Sequence, residues 1–213
     1  MNVIIAGGHG KIALRLERLL GAGSVGLVRN PAHLSDVEAT GAAAVLCDLE
    51  RAGVEEVAEV LGGADAVVFA AGAGPGSGVA RKDTVDKGAS VLLADAAERA
   101  GVRRFVQISS MGAGRPPGPG GDETWAAYIQ AKTEAENDLR RRDLDWTILR
   151  PGGLTDDPGT GRVRLAPSVP RGTVPRDDVA AVIAALLATG ARVRQVLELV
   201  SGDTPIDEAV VQE

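Results

Sequence analysis

One cysteine, Cys47, is all that the 213-residue chain carries, so it can form no internal disulfide, and a reducing cytoplasm is the expected setting. Basic residues are in deficit. Lys and Arg number 23 against 29 Asp and Glu, a formal net charge of −6, which argues against a nucleic-acid or anionic-membrane partner. Long apolar runs are missing too. The first covers only about four residues with no basic segment ahead of it, so it reads as neither a signal peptide nor a membrane span. Tyrosine and lysine are scarce, one and four respectively, so a pairing of the two carries information. Hydrophobic residues, at 45%, are enough for one large α/β domain with a sizeable core.

The most informative stretch is Val3-Ile4-Ile5-Ala6-Gly7-Gly8-His9-Gly10-Lys11-Ile12-Ala13-Leu14. A β-branched apolar run reads as a strand buried on both faces. The glycines permit a tight turn and a close approach of backbone to ligand. The helix that follows aims its unpaired N–H groups and positive dipole end at that turn, which suits a pyrophosphate. Gly7-x-x-Gly10-x-x-Ala13 alone is a loose pattern; its place between strand and helix gives it weight.

Further strands are expected at 25–28, 43–46, 64–69, 104–108, 145–149 and 195–200, and helices at 11–20, 32–40, 53–61, 79–100, from 122, 176–188 and after 204. A hairpin is expected around 162–174. Strands alternating with helices predict a Rossmann-type, doubly wound, mainly parallel sheet with helices on both faces, a three-layer α/β/α arrangement. No repeats or second domain are seen. Residues 1–213 read as a single domain with a small substrate-side portion at about 151–213.

Arg29 lies 19 residues after Gly10, at the end of the second strand. An acid there would bind a ribose 2′-hydroxyl, whereas an arginine accepts a 2′-phosphate. Arg29, with Asn30 adding a hydrogen bond, therefore predicts NADP(H) over NAD(H); the alternative is a solvated surface arginine. Asp48 and Leu49 follow the third strand, where they would meet the adenine, or Asp48 would cap the next helix. Ala70, Ala71 and Gly72 open a run of small residues, 70–78, that lets a cofactor lie against the strand ends or serves as a linker. Ser109 and Ser110 end the fifth strand and either face the cleft or bond their own turn. The loop 112–121 is a lid or a surface insertion. Pro151, which lacks an N–H, ends the sixth strand, and Gly152, Gly153 and Leu154 after it expose theirs to meet a nicotinamide carboxamide. Arg140-Arg141-Arg142 reads as a solvated helix end.

Tyr128 and Lys132 stand four apart on one helix face. An ammonium beside a phenol favours the phenolate and makes it a better acid–base group. The alternative is a half-buried tyrosine with a surface lysine.

Taken together, Gly7-Gly-His-Gly10-Lys-Ile-Ala13, Leu27-Val-Arg-Asn-Pro31, Cys47-Asp-Leu49, Phe69-Ala-Ala-Gly72, Val85-Asp-Lys-Gly88, Ile108-Ser-Ser110, Tyr128-x-x-x-Lys132 and Leu149-Arg-Pro-Gly152 resemble an atypical short-chain dehydrogenase/reductase over nearly the whole chain. The resemblance is to the small single-domain group related to NmrA-like and biliverdin-reductase-B-like proteins. It implies bound NADP, held by Gly7, Gly8, His9, Gly10, Lys11, Ile12, Arg29, Asn30, Asp48, Leu49, Ala70, Ala71, Gly72, Ser109, Lys132, Pro151, Gly152, Gly153 and Leu154. It implies a catalytic set of Ser110 (or Ser109) polarising the substrate oxygen, Tyr128 transferring the proton and Lys132 holding the ribose. Asp86 stands where the wider superfamily often has Asn. The expected function is NADPH-dependent reduction of a small carbonyl, quinone or flavin-like acceptor by a monomer or homodimer; the alternative is a non-catalytic NADP(H) redox sensor. The roughly 60 residues after Pro151 leave little room for the substrate domain of an extended sugar epimerase. No metal set is assigned.

Overall fold

The structure is a computed structural model and describes residues 1–74, 81–115 and 122–212. Its strands are β1 (Val3–Ala6), β2 (Ser24–Val28), β3 (Ala43–Leu46), β4 (Ala66–Phe69), β5 (Arg104–Ile108), β6 (Asp145–Pro151), β7 (Gly153–Thr155), β8 (Arg162–Ala166), β9 (Thr173–Pro175), β10 (Gln195–Ser201) and β11 (Thr204–Pro205). Its α-helices are α1 (Lys11–Leu20), α2 (Leu34–Glu38), α3 (Val54–Leu61), α4 (Ala89–Ala100), α5 (Glu123–Leu139), α6 (Arg176–Thr189) and α7 (Ile206–Val211). No helix among the described residues is long and apolar enough to cross a membrane.

Nine strands form one sheet in the order β11-β8-β10-β6-β5-β4-β1-β2-β3. From β3 to β10 every pairing is parallel; β8 and β11 close the other edge antiparallel. This is the Rossmann-type architecture. Strand β1 shows why both faces are covered. Val3 and Ile5 belong to one core with Leu16 of α1 and Ile183 of α6, while Ile4 and Ala6 belong to the other with Leu61 of α3 and Leu93 of α4. A continuous apolar strand is what a sheet packed on both faces requires. Because β1 lies between β2 and β4, the chain reverses its direction of travel across the sheet there, and a crevice opens at the carboxyl ends.

Three local expectations are corrected. The hairpin at 162–174 is absent: β8 pairs with β10 and β11, whereas β9 pairs with β7 in a separate two-stranded sheet. The long helix expected from residue 79 (residues 79 and 80 lie outside those described) runs as wide π-type turns over Lys82–Gly88 before α4. Those turns let Lys82, Val85 and Asp86 all face inward. Arg142 is not solvated. Its guanidinium ties α5 to α4, reaching Asp138, Asp95 and Glu98 at 2.6, 2.6 and 2.7 Å.

Candidate functional site

A cleft of about 260 Å³ lies along the carboxyl ends of β1, β2, β3 and β4. Gly7, His9, Gly10, Arg29, Asp48, Leu49, Ala70, Ala71 and Gly72 all line it, so nine of the expected cofactor-binding residues share one wall. Sequence reasoning missed Glu50 and Arg81, which line it too.

The turn at the cleft floor is shaped by close approach. Gly7 has φ +81°, and a Cβ there would lie 2.6 Å from the Ala71 Cα. This contact locks the β1 turn against the β4 end. Helix α1 then starts at Lys11, after Gly10 at its N-cap, with no side-chain cap and no acid in its first turn. Its leading N–H groups are left for an external acceptor, and an anion is the natural one. The N–H groups of Gly8 and Gly10 are spent internally, on Leu27 O at 2.9 Å and Gly7 O at 2.8 Å. Beyond its backbone, Lys11 pairs with Asp156 at 2.7 Å, and Ile12 packs on the core.

Beneath the turn lies Glu17 of α1, fully buried, with neither carboxylate oxygen hydrogen-bonded. Burial pushes its carboxyl up to about 7, against a smaller opposing pull from Arg18. The carboxylate fills the space that side chains at Gly8 and Gly26 would need.

At the β2 end of the cleft, Arg29 Nη1 meets Glu50 Oε2 at 2.7 Å. Burial alone would raise the Glu50 carboxyl, but hydrogen bonds from Thr84 and Arg81, with the charges of Arg81 and Arg29, hold it below the ordinary carboxylate value. His9 stacks on His33 with ring centres 3.6 Å apart and reaches Asp36 Oδ2 at 2.7 Å. Asn30 Oδ1 accepts from Ala32 N at 3.0 Å, capping a short 3₁₀ turn. Asp48 does not cap α3, whose N-cap is Gly53; its Oδ1 accepts from Glu50 N at 3.1 Å.

The expected catalytic residues sit toward β5 and β6. Lys132 is buried, donates to Ile108 O at 3.2 Å and lies 3.1 Å from Asp86 Oδ1. Its Nζ is 5.8 Å from the centre of the half-buried Tyr128 ring, so it is no surface lysine. A second ammonium, Lys82, stands 5.3 Å from that ring and donates to Gly74 O at 2.9 Å. The two serines are not equivalent. Ser109 is buried and donates to Glu136 Oε1 at 2.5 Å; that carboxylate is also gripped by Arg150. Ser110 makes only a 3.5 Å contact with Met111 O, which leaves its hydroxyl the freer one.

At the end of β6 the expected free donors are not free. Gly152 N donates to Leu199 O and Gly153 N to Gly172 O, each at 2.9 Å, because β10 and the approach to β9 close on this turn. Leu154 remains partly exposed beside them. Of the 112–121 loop, residues 116–121 lie outside those described. Its first part is anchored, with Gly114 N on Thr133 Oγ1 at 2.9 Å and Arg115 on the buried Glu198 at 3.0 Å.

The residues present therefore fit a dinucleotide: an open helix start and arginines line the cleft, and the lysine–tyrosine pair, which does not line it, lies toward β5 and β6. Comparison with known proteins agrees. The model of the family described as "NAD(P)H-binding" matches residues 7–190. The "Uncharacterized sugar epimerase YhfK" of Bacillus subtilis is 36% identical over 214 residues, covering 99% of each chain. Among solved structures, the "Putative NAD-dependent epimerase/dehydratase" from Bacillus halodurans is 34% identical, with a TM-score of 0.90 and full coverage of both chains. The oxidoreductase ylbE from Lactococcus lactis is 29% identical, with a TM-score of 0.86 over 99% of this chain and 95% of its own.

Proposed function

The chain belongs to the NAD(P)H-binding family, and from that premise we propose that it is an NADP(H)-dependent reductase of a small carbonyl, quinone or flavin-like acceptor. The observation that carries this reading is the pair on α5, with Lys132 buried and its ammonium 5.8 Å from the centre of the Tyr128 ring. Bound NADPH supplies the hydride chemistry. The chain does the rest. The first turn of α1 takes the pyrophosphate, Arg29 the ribose phosphate, and Asp48 and Leu49 the adenine. Lys132, fixed by the Ile108 carbonyl, orients the nicotinamide ribose. Ser110 donates to the acceptor oxygen and Tyr128 hands it the proton, a step worth about 10²- to 10⁴-fold in rate.

The names of two similar proteins suggest an epimerase, one of them a sugar epimerase. Support for that is weaker, because much of the chain beyond β6 completes the main sheet as β8, β10 and β11 rather than building a separate substrate lobe. One observation favours a different reading, a redox sensor without turnover: Asp86 offsets the Lys132 charge that would otherwise act on Tyr128.

An NADPH-oxidation screen over carbonyls, quinones, flavins and tetrapyrroles separates the two. Reduction of at least one class, lost in Tyr128→Phe with NADPH affinity kept, is the expected result. Tight NADPH binding with no turnover favours the sensor, and turnover that survives in Tyr128→Phe removes it as proton donor.

A further inference from the structure

Two guanidinium groups from separate segments of the chain converge on one carboxylate oxygen. Arg29, at the end of β2, and Arg81, just before the π-type turns, lie 2.7 and 2.8 Å from Glu50 Oε2. The other oxygen, Oε1, accepts from Thr84 Oγ1 at 2.9 Å. All three charged residues line the cleft, and both arginines are well exposed, at 52% and 38%. Exposed ion pairs of this kind are weak and exchange readily with a better anion. A phosphate is that better anion, since it offers more acceptor oxygens and more charge to the same donors.

We propose that Arg81 is the second arm of a two-arginine clamp for the ribose phosphate, and that Glu50 is the clamp's built-in competitor. This rests on the NADP(H) reading above and adds to it the residue that completes the site and the one that weakens it. The two oxygens of Glu50 divide the work. Thr84 retains Oε1, so the carboxylate stays in place when both guanidinium groups turn from Oε2 to the ligand. While they face Oε2 it keeps the arginines side by side in the cleft. Once the phosphate arrives, the same carboxylate remains a nearby like charge and lowers the affinity.

Calorimetric titration with 2′,5′-ADP and with 5′-ADP tests this on wild type, Arg81→Gln and Glu50→Gln, with unfolding curves to show that each variant is folded. Arg81→Gln is expected to weaken 2′,5′-ADP about tenfold or more and to leave 5′-ADP within about twofold, the loss of one charge-assisted contact. Glu50→Gln is expected to tighten 2′,5′-ADP by about threefold or more, with little change for 5′-ADP. A wild-type protein that binds the two nucleotides alike, or neither, overturns the NADP(H) reading itself. A wild-type preference that Arg81→Gln retains overturns the second arm alone. Weaker 2′,5′-ADP binding in Glu50→Gln makes Glu50 a scaffold and overturns the competitor.

Discussion

Lys132 Nζ lies 3.1 Å from Asp86 Oδ1, with the two side chains 4% and 0% exposed. The ammonium comes from α5 and the carboxylate from the π-type turns. The other oxygen of Asp86 accepts from Ala73 N at 3.2 Å, so the pair also fastens the segment after β4 to the helices. A charge at this depth is tolerable only with its partner.

Removing one partner should therefore be costly. Asp86→Ala is expected to destabilise the protein by about 3–5 kcal/mol, because it strands a buried ammonium. Adding Lys132→Met should recover much of that loss. Urea unfolding of the single and double variants measures both, and a double variant no more stable than Asp86→Ala would show that the charges are not what the site balances.

Glu17, buried with neither carboxylate oxygen hydrogen-bonded, sets a pH dependence. Its folded-state value, about 7, is raised above the ordinary 4.5. The native protein thus holds a proton that the unfolded chain has released between those values, and stability from this group falls as pH rises through them. Glu17→Gln removes the titration. Its stability relative to wild type should grow from pH 4.5 to pH 7 and then level, with a total change of about 3 kcal/mol. A difference that stays flat with pH would mean that the carboxyl does not titrate in this window.

The adjacent serines should separate stability from turnover. Ser109→Ala deletes a buried donor to Glu136 and is expected to cost about 1–3 kcal/mol. Ser110→Ala should stay within about 0.5 kcal/mol of wild type in stability. Its reductase activity should drop about tenfold or more, through the loss of a donor to the reacting oxygen. Thermal unfolding and NADPH-oxidation assays give the two readouts, and the reversed pattern would exchange the assigned roles.

Local pattern accounts for what was readable in the sequence. Helix α1 and strand β3 begin and end where their apolar spacing and flanking glycines place them. The cleft wall at Gly7, Arg29, Asp48 and Gly72 followed from counting along βα units, since successive strand ends of a parallel sheet fall on one edge. Pairings between distant segments were not readable. The apparent hairpin at 162–174 failed because β8 finds its partner in β10, and no local signal distinguishes that from pairing with a neighbour. The same holds for side chains. Glu17 looks like any exposed helix glutamate until Gly26 of β2 closes over it. Asp86 meets Lys132, and Arg81 meets Glu50, only once separate elements have packed. The donors after Pro151 looked free because the strands that satisfy them come later in the chain.

Nucleotide affinity reads out the proposed preference of the cleft for a phosphorylated ribose. Fluorescence titration of wild type and Arg29→Glu with NADPH and NADH gives the four constants required. Wild type should prefer NADPH by about tenfold or more, and Arg29→Glu should lose most of that preference while NADH binding changes by about threefold or less. Equal losses for both nucleotides in Arg29→Glu would show that Arg29 does not hold the ribose phosphate.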